Sequence, residues 1–303
     1  MNRLPDFLII GAQKSATTWL AHVLRQHPRI FMPEHEPHFF NYPQPIERYL
    51  QAFSQAHPDQ LIGEKTPDYL HLSRRQIAEV RKLLPHARLI VILRNPIARA
   101  WSQARMELSV VNKRQLSQRD LLGLALHVYF ARNRLRTKYA QALRRWLKFF
   151  PKEQLLVLFY EDLRKDPVDV LQRVFAFLNI SPLPRPQLES LVAQRVWASP
   201  EHTLPKTLRY ALTKQYISQT LLLERMGWRV PSEWPRPEEL QTLRTGKPWL
   251  PLAASMLTGC MTLLTLPERS LVYIGRCFPS LRLYRFYDRL QHWRFLRLGF
   301  SRK

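Results

Sequence analysis

The sequence predicts an α/β protein: a doubly wound parallel sheet flanked by helices, followed by a mostly helical, basic C-terminal extension. Three observations carry this. Three short apolar runs are continuous rather than alternating, as expected of strands covered on both faces. Helix-period stretches lie between them. The first run passes directly into a glycine turn and a helical pattern, a strand–turn–helix unit.

Taken in order, Phe7-Leu8-Ile9-Ile10 is the first strand and Thr17 to Gln26 the first helix. Arg74 to Leu84 is the next helix and Leu89-Ile90-Val91-Ile92-Leu93 the second strand. A long basic helix is expected from Leu121 to Phe150, then a third strand, Leu155 to Tyr160. Asp166-Pro167 opens a further helix, with Val170, Leu171, Val174, Phe175 and Leu178 at helical spacing. From about Ser181 prolines accumulate and strand-like runs become scarce. Pro248 to Pro267 is an uncharged stretch of 20 residues. It matches a membrane span only in length, and its flanking prolines and internal Ser and Thr favour a buried or membrane-surface helical segment. From Arg269 to Lys303 there are nine basic residues against one acidic. Leu283, Phe286, Tyr287, Leu290 and Trp293 share one helical face and Arg282, Arg285 and Arg289 another. That profile suits an interfacial helix on an anionic membrane, or a surface helix packed on its own domain. The expected division is one domain over residues 1–246, with motif support over 5–180, and an extension over 247–303.

The chain has 303 residues and a formal net charge of +24, with 47 Lys and Arg against 23 Asp and Glu. A hydrophobic content of 46% supports a sizeable core and excludes wholesale disorder. Two cysteines exclude a disulfide framework and a thiolate zinc site, and they suit a reducing compartment. The opening apolar run, Phe7 to Ile10, is too short for a signal peptide or a span, so a cytoplasmic location is expected, peripheral on a membrane if the tail binds one. The charge predicts an anionic partner without selecting it.

The first strand runs into Gly11-Ala12-Gln13-Lys14-Ser15-Ala16-Thr17-Thr18-Trp19-Leu20. Such a turn points backbone N–H groups and a helix N-terminus at one anionic group, with Thr17 and Thr18 as helix caps or hydroxyl donors and Lys14 as a charge. The arrangement is P-loop-like. However, the Gly-Lys-Ser/Thr ending that holds magnesium in nucleoside triphosphatases is missing, which disfavours an ATP site. The second strand delivers Arg94-Asn95-Pro96 at its carboxyl end, where α/β folds bind ligands, and Ser102 follows about two helical turns later. Arg94 and Ser102 thus form a candidate second anion site, which suggests a ligand with two separated phosphate groups.

The segments FLIIGAQKSATTWL, GEKTPDYL, LIVILRNPIARAWSQ and LVLFYEDLRKDPVDVLQRVFAFLNI together resemble the sulfotransferases that use 3′-phosphoadenosine 5′-phosphosulfate. EPHFF and GEKTP are similar to the heparan sulfate type and related bacterial enzymes. The resemblance implies that Lys14, Ser15, Ala16, Thr17 and Thr18, with Trp19 behind them, bind the 5′-phosphosulfate, and that Arg94 and Ser102 hold the 3′-phosphate. The chain departs from the family in having Ala16 where glycine is usual. The late Lys- and Gly-rich loop also lacks a clear counterpart, Arg244 to Lys247 being the only candidate.

Transfer to a hydroxyl needs an in-line acceptor, a base for its proton and positive charge on the leaving oxygen. The resemblance implies Glu36 as base, with His38 as its orienter or the alternative base. Lys65, in Gly63-Glu64-Lys65-Thr66-Pro67, is the second candidate for contacting the sulfuryl group or the acceptor. Glu64 is expected to orient Lys65 or to pair with another basic residue. Lys14 is expected both to bind the 5′-phosphate and to stabilise the leaving oxygen. His35 and His38 are the only closely spaced histidine pair, so no metal is expected. The acceptor implied is a hydroxyl, less readily an amine, of a carbohydrate-like or lipid-linked molecule. The competing readings are a P-loop kinase and a basic membrane- or polyanion-binding module with an inert nucleotide site. Nucleic acid is not expected, because no helix-turn-helix, RNP or zinc-finger signature occurs.

Overall fold

A computed structural model describes residues 3–42, 44–112, 120–193, 204–244 and 256. Within it the chain forms five strands: β1 (Phe7–Gly11), β2 (Ile30–Phe31), β3 (Leu61–Lys65), β4 (Arg88–Leu93) and β5 (Leu155–Phe159). They make one parallel sheet in the order β2-β3-β1-β4-β5. The helices are α1 (Thr17–Arg25), α2 (Ile46–Gln51), α3 (Arg74–Leu83), α4 (Pro96–Asn112), α5 (Leu121–Tyr129), α6 (Ala131–Leu135), α7 (Tyr139–Trp146), α8 (Tyr160–Lys165), α9 (Pro167–Leu178), α10 (Arg185–Ala193), α11 (Lys206–Arg225) and α12 (Pro237–Arg244). The α/β class and the parallel sheet are therefore as the sequence predicts.

The chain divides into two compact units. The first comprises residues 1–99, 138–201 and 218–234 and holds the whole sheet. Alternate strand residues face opposite layers. Leu8, Ile10, Leu89, Val91 and Leu93 enter one core with Ile77, Val80, Leu143 and Trp146. Phe7, Ile9, Ile90 and Ile92 enter the other with Leu20, Val23 and Leu24 of α1 and Val170, Leu171, Val174 and Phe175 of α9. The five apolar positions expected on α9 are all buried, and Asp166 caps the helix by accepting from the Asp169 amide at 2.9 Å. Helix α3 opens on a reciprocal capping box between Ser73 and Gln76.

Three expectations are corrected. The three apolar runs are not the only strands: the polar segment around Glu64 and Lys65 is β3, paired with β1 and β2. Its two charged side chains find partners of their own, so the strand tolerates them. Neither Thr17 nor Thr18 caps α1, because the N-cap is Ala16 in a left-handed conformation with no side-chain cap bond. The long helix over residues 121–150 is three helices. The Asn133 amide donates to the carbonyls of His127 and Ala100, which ends α5, and the Thr137 hydroxyl donates to the carbonyls of Asn133 and Arg134, which ends α6.

The second unit comprises, among the described residues, 100–112, 120–137, 204–217, 235–244 and 256. In it Tyr210 and Ala211 pack with Leu240 and Leu243, and Arg209 pairs with Glu239 at 2.8 Å. Glu107 accepts from Gln103 at 2.6 Å and meets His127 at 3.4 Å and Arg136 at 4.0 Å. Burial raises the Glu107 pKa, but these partners outweigh burial and hold it below the usual carboxylate range. The apolar stretch 248–267 (apart from Met256), the basic tail and Thr245 to Lys247 lie outside the described residues. Among the described residues no helix is long and apolar enough to cross a membrane.

Candidate active site

Gly11 ends β1 against the 3₁₀ turn Pro67–His71, and a Cβ there would lie 2.8 Å from Leu70 Cβ and 3.1 Å from the Pro67 carbonyl oxygen. Only glycine lets the chain leave the strand at this point. The loop is fastened to the sheet by the Ala12 amide, which donates to the Ile92 carbonyl at 2.8 Å. Lys14 and Ala16 then adopt φ of 67° and 65°. Left-handed residues in such a turn direct successive amides into a concavity, and the uncapped N-terminus of α1 adds its own N–H groups and positive dipole end. Ser15 is fully buried and its hydroxyl has no hydrogen-bond partner. Thr17 and Trp19 are buried and Thr18 is exposed. An orphaned buried hydroxyl in a ring of amides fits a phosphate-type oxyanion.

Arg94 follows β4, the strand beside β1. Its Nη1 donates to the Lys14 carbonyl at 2.9 Å and its guanidinium lies 4.4 Å from the Tyr160 ring centroid. Its buried Nε has no partner. Tyr139 donates to the Arg94 carbonyl at 3.1 Å, and burial above all pushes that phenol well above its ordinary range. Asn95 caps α4 by accepting from the Ile97 and Ala98 amides at 3.0 and 3.3 Å. Glu161 accepts from the Asn95 amide at 2.8 Å and from Trp234 Nε1 at 3.1 Å. Arg94 thus stands on a braced strand end. Ser102 lies further along α4 and is buried in the second unit.

The Glu36–His38 segment is held at its start by Arg25, whose guanidinium donates to the carbonyls of Met32, Pro33 and Glu34 at 3.3, 2.9 and 3.3 Å. Burial lowers the Arg25 pKa, partly offset by Glu34. Lys65 Nζ lies 2.6 Å from Glu36 Oε1 and His38 Nε2 3.2 Å from Glu36 Oε2, while His38 Nδ1 meets Asn41 Oδ1 at 3.0 Å. The Lys65 side chain is 8% exposed and that of Glu36 30%, so the cation is enclosed while the carboxylate stays open to an acceptor. Lys65 is the last residue of β3, and Ile9 of the adjacent β1 is its register partner. Glu36, Lys65, the glycine loop and Arg94 therefore gather at the carboxyl edge of the sheet.

Glu64 does not orient Lys65 or pair with another basic residue. Its side chain is fully buried and accepts from Thr66 Oγ1 at 2.8 Å and from the Tyr49 hydroxyl. Burial pushes its pKa up, opposed by these donors and by the charge of His38. Burial also raises both phenols, with Glu64 adding to the effect. The sequence reading missed Asn41, Tyr69 and Tyr160. Tyr160 follows β5 directly, so the strand-end rule could have found it. The others carry no local signal. Among the described residues no group of three or more His, Cys, Asp or Glu could hold a metal ion.

A family model described as a sulfotransferase domain matches residues 4–200. The chain is similar to heparan sulfate glucosamine 3-O-sulfotransferase 5 of Homo sapiens, 31% identical over 192 residues, covering 60% of this chain and 55% of that protein. It is also similar to heparan sulfate glucosamine 3-O-sulfotransferase 6 of Homo sapiens, 33% identical over 184 residues, covering 59% and 53% respectively. The match thus spans about half the length of these curated relatives. A solved sulfotransferase from Alicyclobacillus acidocaldarius superposes with a TM-score of 0.62 at 27% identity, over 77% of this chain and 100% of that one.

Proposed function

The chain belongs to the sulfotransferase domain family, and from that premise we propose that it transfers the sulfuryl group of 3′-phosphoadenosine 5′-phosphosulfate to a hydroxyl of a carbohydrate-like acceptor. The observation that carries the reading is Glu36 held 2.6 Å from Lys65 at the edge where the glycine loop and Arg94 also end. The similarity to heparan sulfate 3-O-sulfotransferases supports a glycan as the acceptor class.

The residues present fit the donor. The amides of Lys14 to Thr18, the Ser15 hydroxyl and the α1 N-terminus would hold the 5′-phosphosulfate, and Arg94 would hold the 3′-phosphate. When bound, the donor supplies the sulfuryl group and a phosphate leaving oxygen. Glu36 accepts the proton of the acceptor hydroxyl on a carboxylate oxygen. Lys65 fixes Glu36 Oε1 and His38 lies against Oε2, so the base is oriented before the acceptor arrives. Lys14 and Lys65 bring positive charge to an edge where negative charge develops on the leaving oxygen.

The test is transfer from donor labelled with radioactive sulfur to a panel of desulfated and partly sulfated glycans, with phenolic and lipid-linked hydroxyl acceptors for comparison. Label is expected on a glycan, and its rate of incorporation is expected to fall about 10²–10⁴-fold with Glu36→Gln. A folded protein that labels no hydroxyl acceptor overturns the reading, and label on a phenol or lipid alone overturns the glycan class.

A further inference from the structure

A chain of contacts joins the buried Glu64 to the loop that carries Glu36 and His38. The Phe40 amide donates to Tyr69 Oη at 3.3 Å, and Gln76 Nε2 donates to the Phe40 carbonyl at 2.8 Å. Both backbone polar groups of Phe40 are therefore held. Tyr69 is in turn coupled electrostatically to Glu64, which accepts from Tyr49 and Thr66. The rings follow the same path. Phe39 stacks on Tyr49 with centroids 4.2 Å apart at 11°, and Phe40 packs edge-on against Tyr49 and Tyr69.

We propose that Glu64 and Tyr69 are positioning residues that, through the Phe40 amide, hold the Glu36–Asn41 loop in the conformation in which Glu36 meets Lys65 and His38. The role rests on the assignment of Glu36 as the base. Burying a carboxylate is costly, and an apolar residue would fill a strand position more cheaply. The hydroxyls of Tyr49 and Thr66 satisfy this one, one on each carboxylate oxygen, and a satisfied buried polar network specifies a single geometry. The loop needs such a hold. His38 has φ of 54°, a conformation that a residue with a Cβ populates rarely, and its carbonyl closes a turn by accepting from the Asn41 and Tyr42 amides at 3.0 and 3.3 Å. The Phe40 clamp lies inside that turn. Strand β3 sets both ends of the device: Lys65 meets Glu36, Glu64 is sealed in the core, and the turn that follows presents Tyr69 to Phe40.

The test uses Tyr69→Phe in the full chain, which keeps the ring and removes only the hydroxyl. The rate of hydrogen exchange at the Phe40 amide is expected to rise about tenfold or more. With a glycan acceptor, kcat is expected to fall about tenfold or more, while the donor KM stays within about twofold. Introduced into Glu36→Gln, the same substitution is expected to change the residual rate by less than about twofold, because it acts through Glu36. Glu64→Gln is expected to move exchange and kcat in the same directions, and it serves as the reading should Tyr69→Phe not fold. Undiminished kcat with the Phe40 amide released, or an equal fractional loss in the Glu36→Gln background, overturns the positioning role and leaves the sulfotransferase reading standing. A folded wild-type chain that transfers no sulfuryl group overturns the sulfotransferase reading and with it the role assigned to the loop, even if Tyr69→Phe releases the Phe40 amide.

Discussion

Lys65 Nζ lies 2.6 Å from Glu36 Oε1, and the two residues are separated by 29 positions in the chain. The pair exists because β3 adds to β1 in parallel, which brings the end of β3 to the edge where the glycine loop begins. The Thr66 amide, one residue past the strand, still donates to the Ile9 carbonyl at 3.1 Å, so the ammonium stands on a firmly held backbone. A carboxylate fixed on one oxygen by an enclosed cation, and reachable on the other side, is suited to take a proton from a bound hydroxyl.

Glu36→Gln tests that assignment. The amide still accepts from Lys65, so Tm is expected to stay within a few degrees of wild type and donor binding to persist. Loss of the base is expected to lower kcat by about 10²–10⁴-fold. Turnover near the wild-type rate would move the base to His38.

Lys65→Met removes the charge and keeps the aliphatic stem. With only His38 beside it, Glu36 loses its main constraint, and positive charge is lost where negative charge develops. A kcat loss of about 10²–10³-fold is expected in steady-state assays, with folding retained by circular dichroism. Lys65→Arg is expected to recover little, because a planar fork does not replace a point charge in an enclosed site. Full recovery in Lys65→Arg would show that the pair supplies charge without geometry.

Arg94→Lys retains charge but forfeits the Tyr160 contact and the bond to the Lys14 carbonyl. Calorimetric binding of 3′-phosphoadenosine 5′-phosphate is expected to weaken about tenfold or more, the worth of a charge-assisted hydrogen bond. Adenosine 5′-phosphosulfate, which lacks the 3′-phosphate, is expected to lose less. Equal losses for the two nucleotides would confine Arg94 to bracing the loop.

What the sequence disclosed follows from where each signal resides. Strands β1, β4 and β5 are legible because they are continuous apolar runs, and α9 because its five buried positions keep helical spacing. Strand β3 was hidden by its own function, since Glu64 and Lys65 make it read as a polar connection. Strand β2 has two residues and no pattern to read. Glu36, His38 and Lys65 each stand out singly as candidates in the sequence, but their mutual contact depends on β1–β3 register, and the Tyr49–Glu64–Tyr69 cluster on packing between distant segments. The left-handed Ala16 shows the same limit from the other side: backbone conformation replaced the threonine cap that composition suggested.

Gly63→Ala tests the close approach on which that register depends. Gly63 is the register partner of Phe7, and a Cβ there would lie 2.2 Å from Phe7 Cζ. Phe7 is fully buried, so its ring has nowhere to retreat. The substitution is expected to cost about 1–3 kcal/mol, read as a fall of several degrees in Tm. Phe7→Leu in the same chain is expected to restore part of the loss. Destabilisation that Phe7→Leu deepens would place the strain elsewhere.

Glu64→Gln gives a pH signature as well as a positional one. Burial holds the folded-state pKa of Glu64 above its ordinary value of 4.5, against the opposing hydroxyls of Tyr49, Tyr69 and Thr66 and the charge of His38. Between the unfolded and folded values the native state keeps a proton that the unfolded chain has released. Unfolding then releases that proton, so rising pH favours the unfolded chain. The Glu64 contribution is therefore complete below about pH 4.5 and declines as pH rises through the folded value, at no more than about 1.4 kcal/mol per pH unit. Glutamine has no such titration. Denaturant unfolding at a series of pH values is expected to show wild type losing stability relative to Glu64→Gln from about pH 4.5 upward, the gap levelling once Glu64 is ionised in both states. A gap that stays constant with pH, or that moves in favour of wild type, would mean that the hydroxyl donors outweigh burial and that the folded carboxyl is no weaker an acid than the unfolded one.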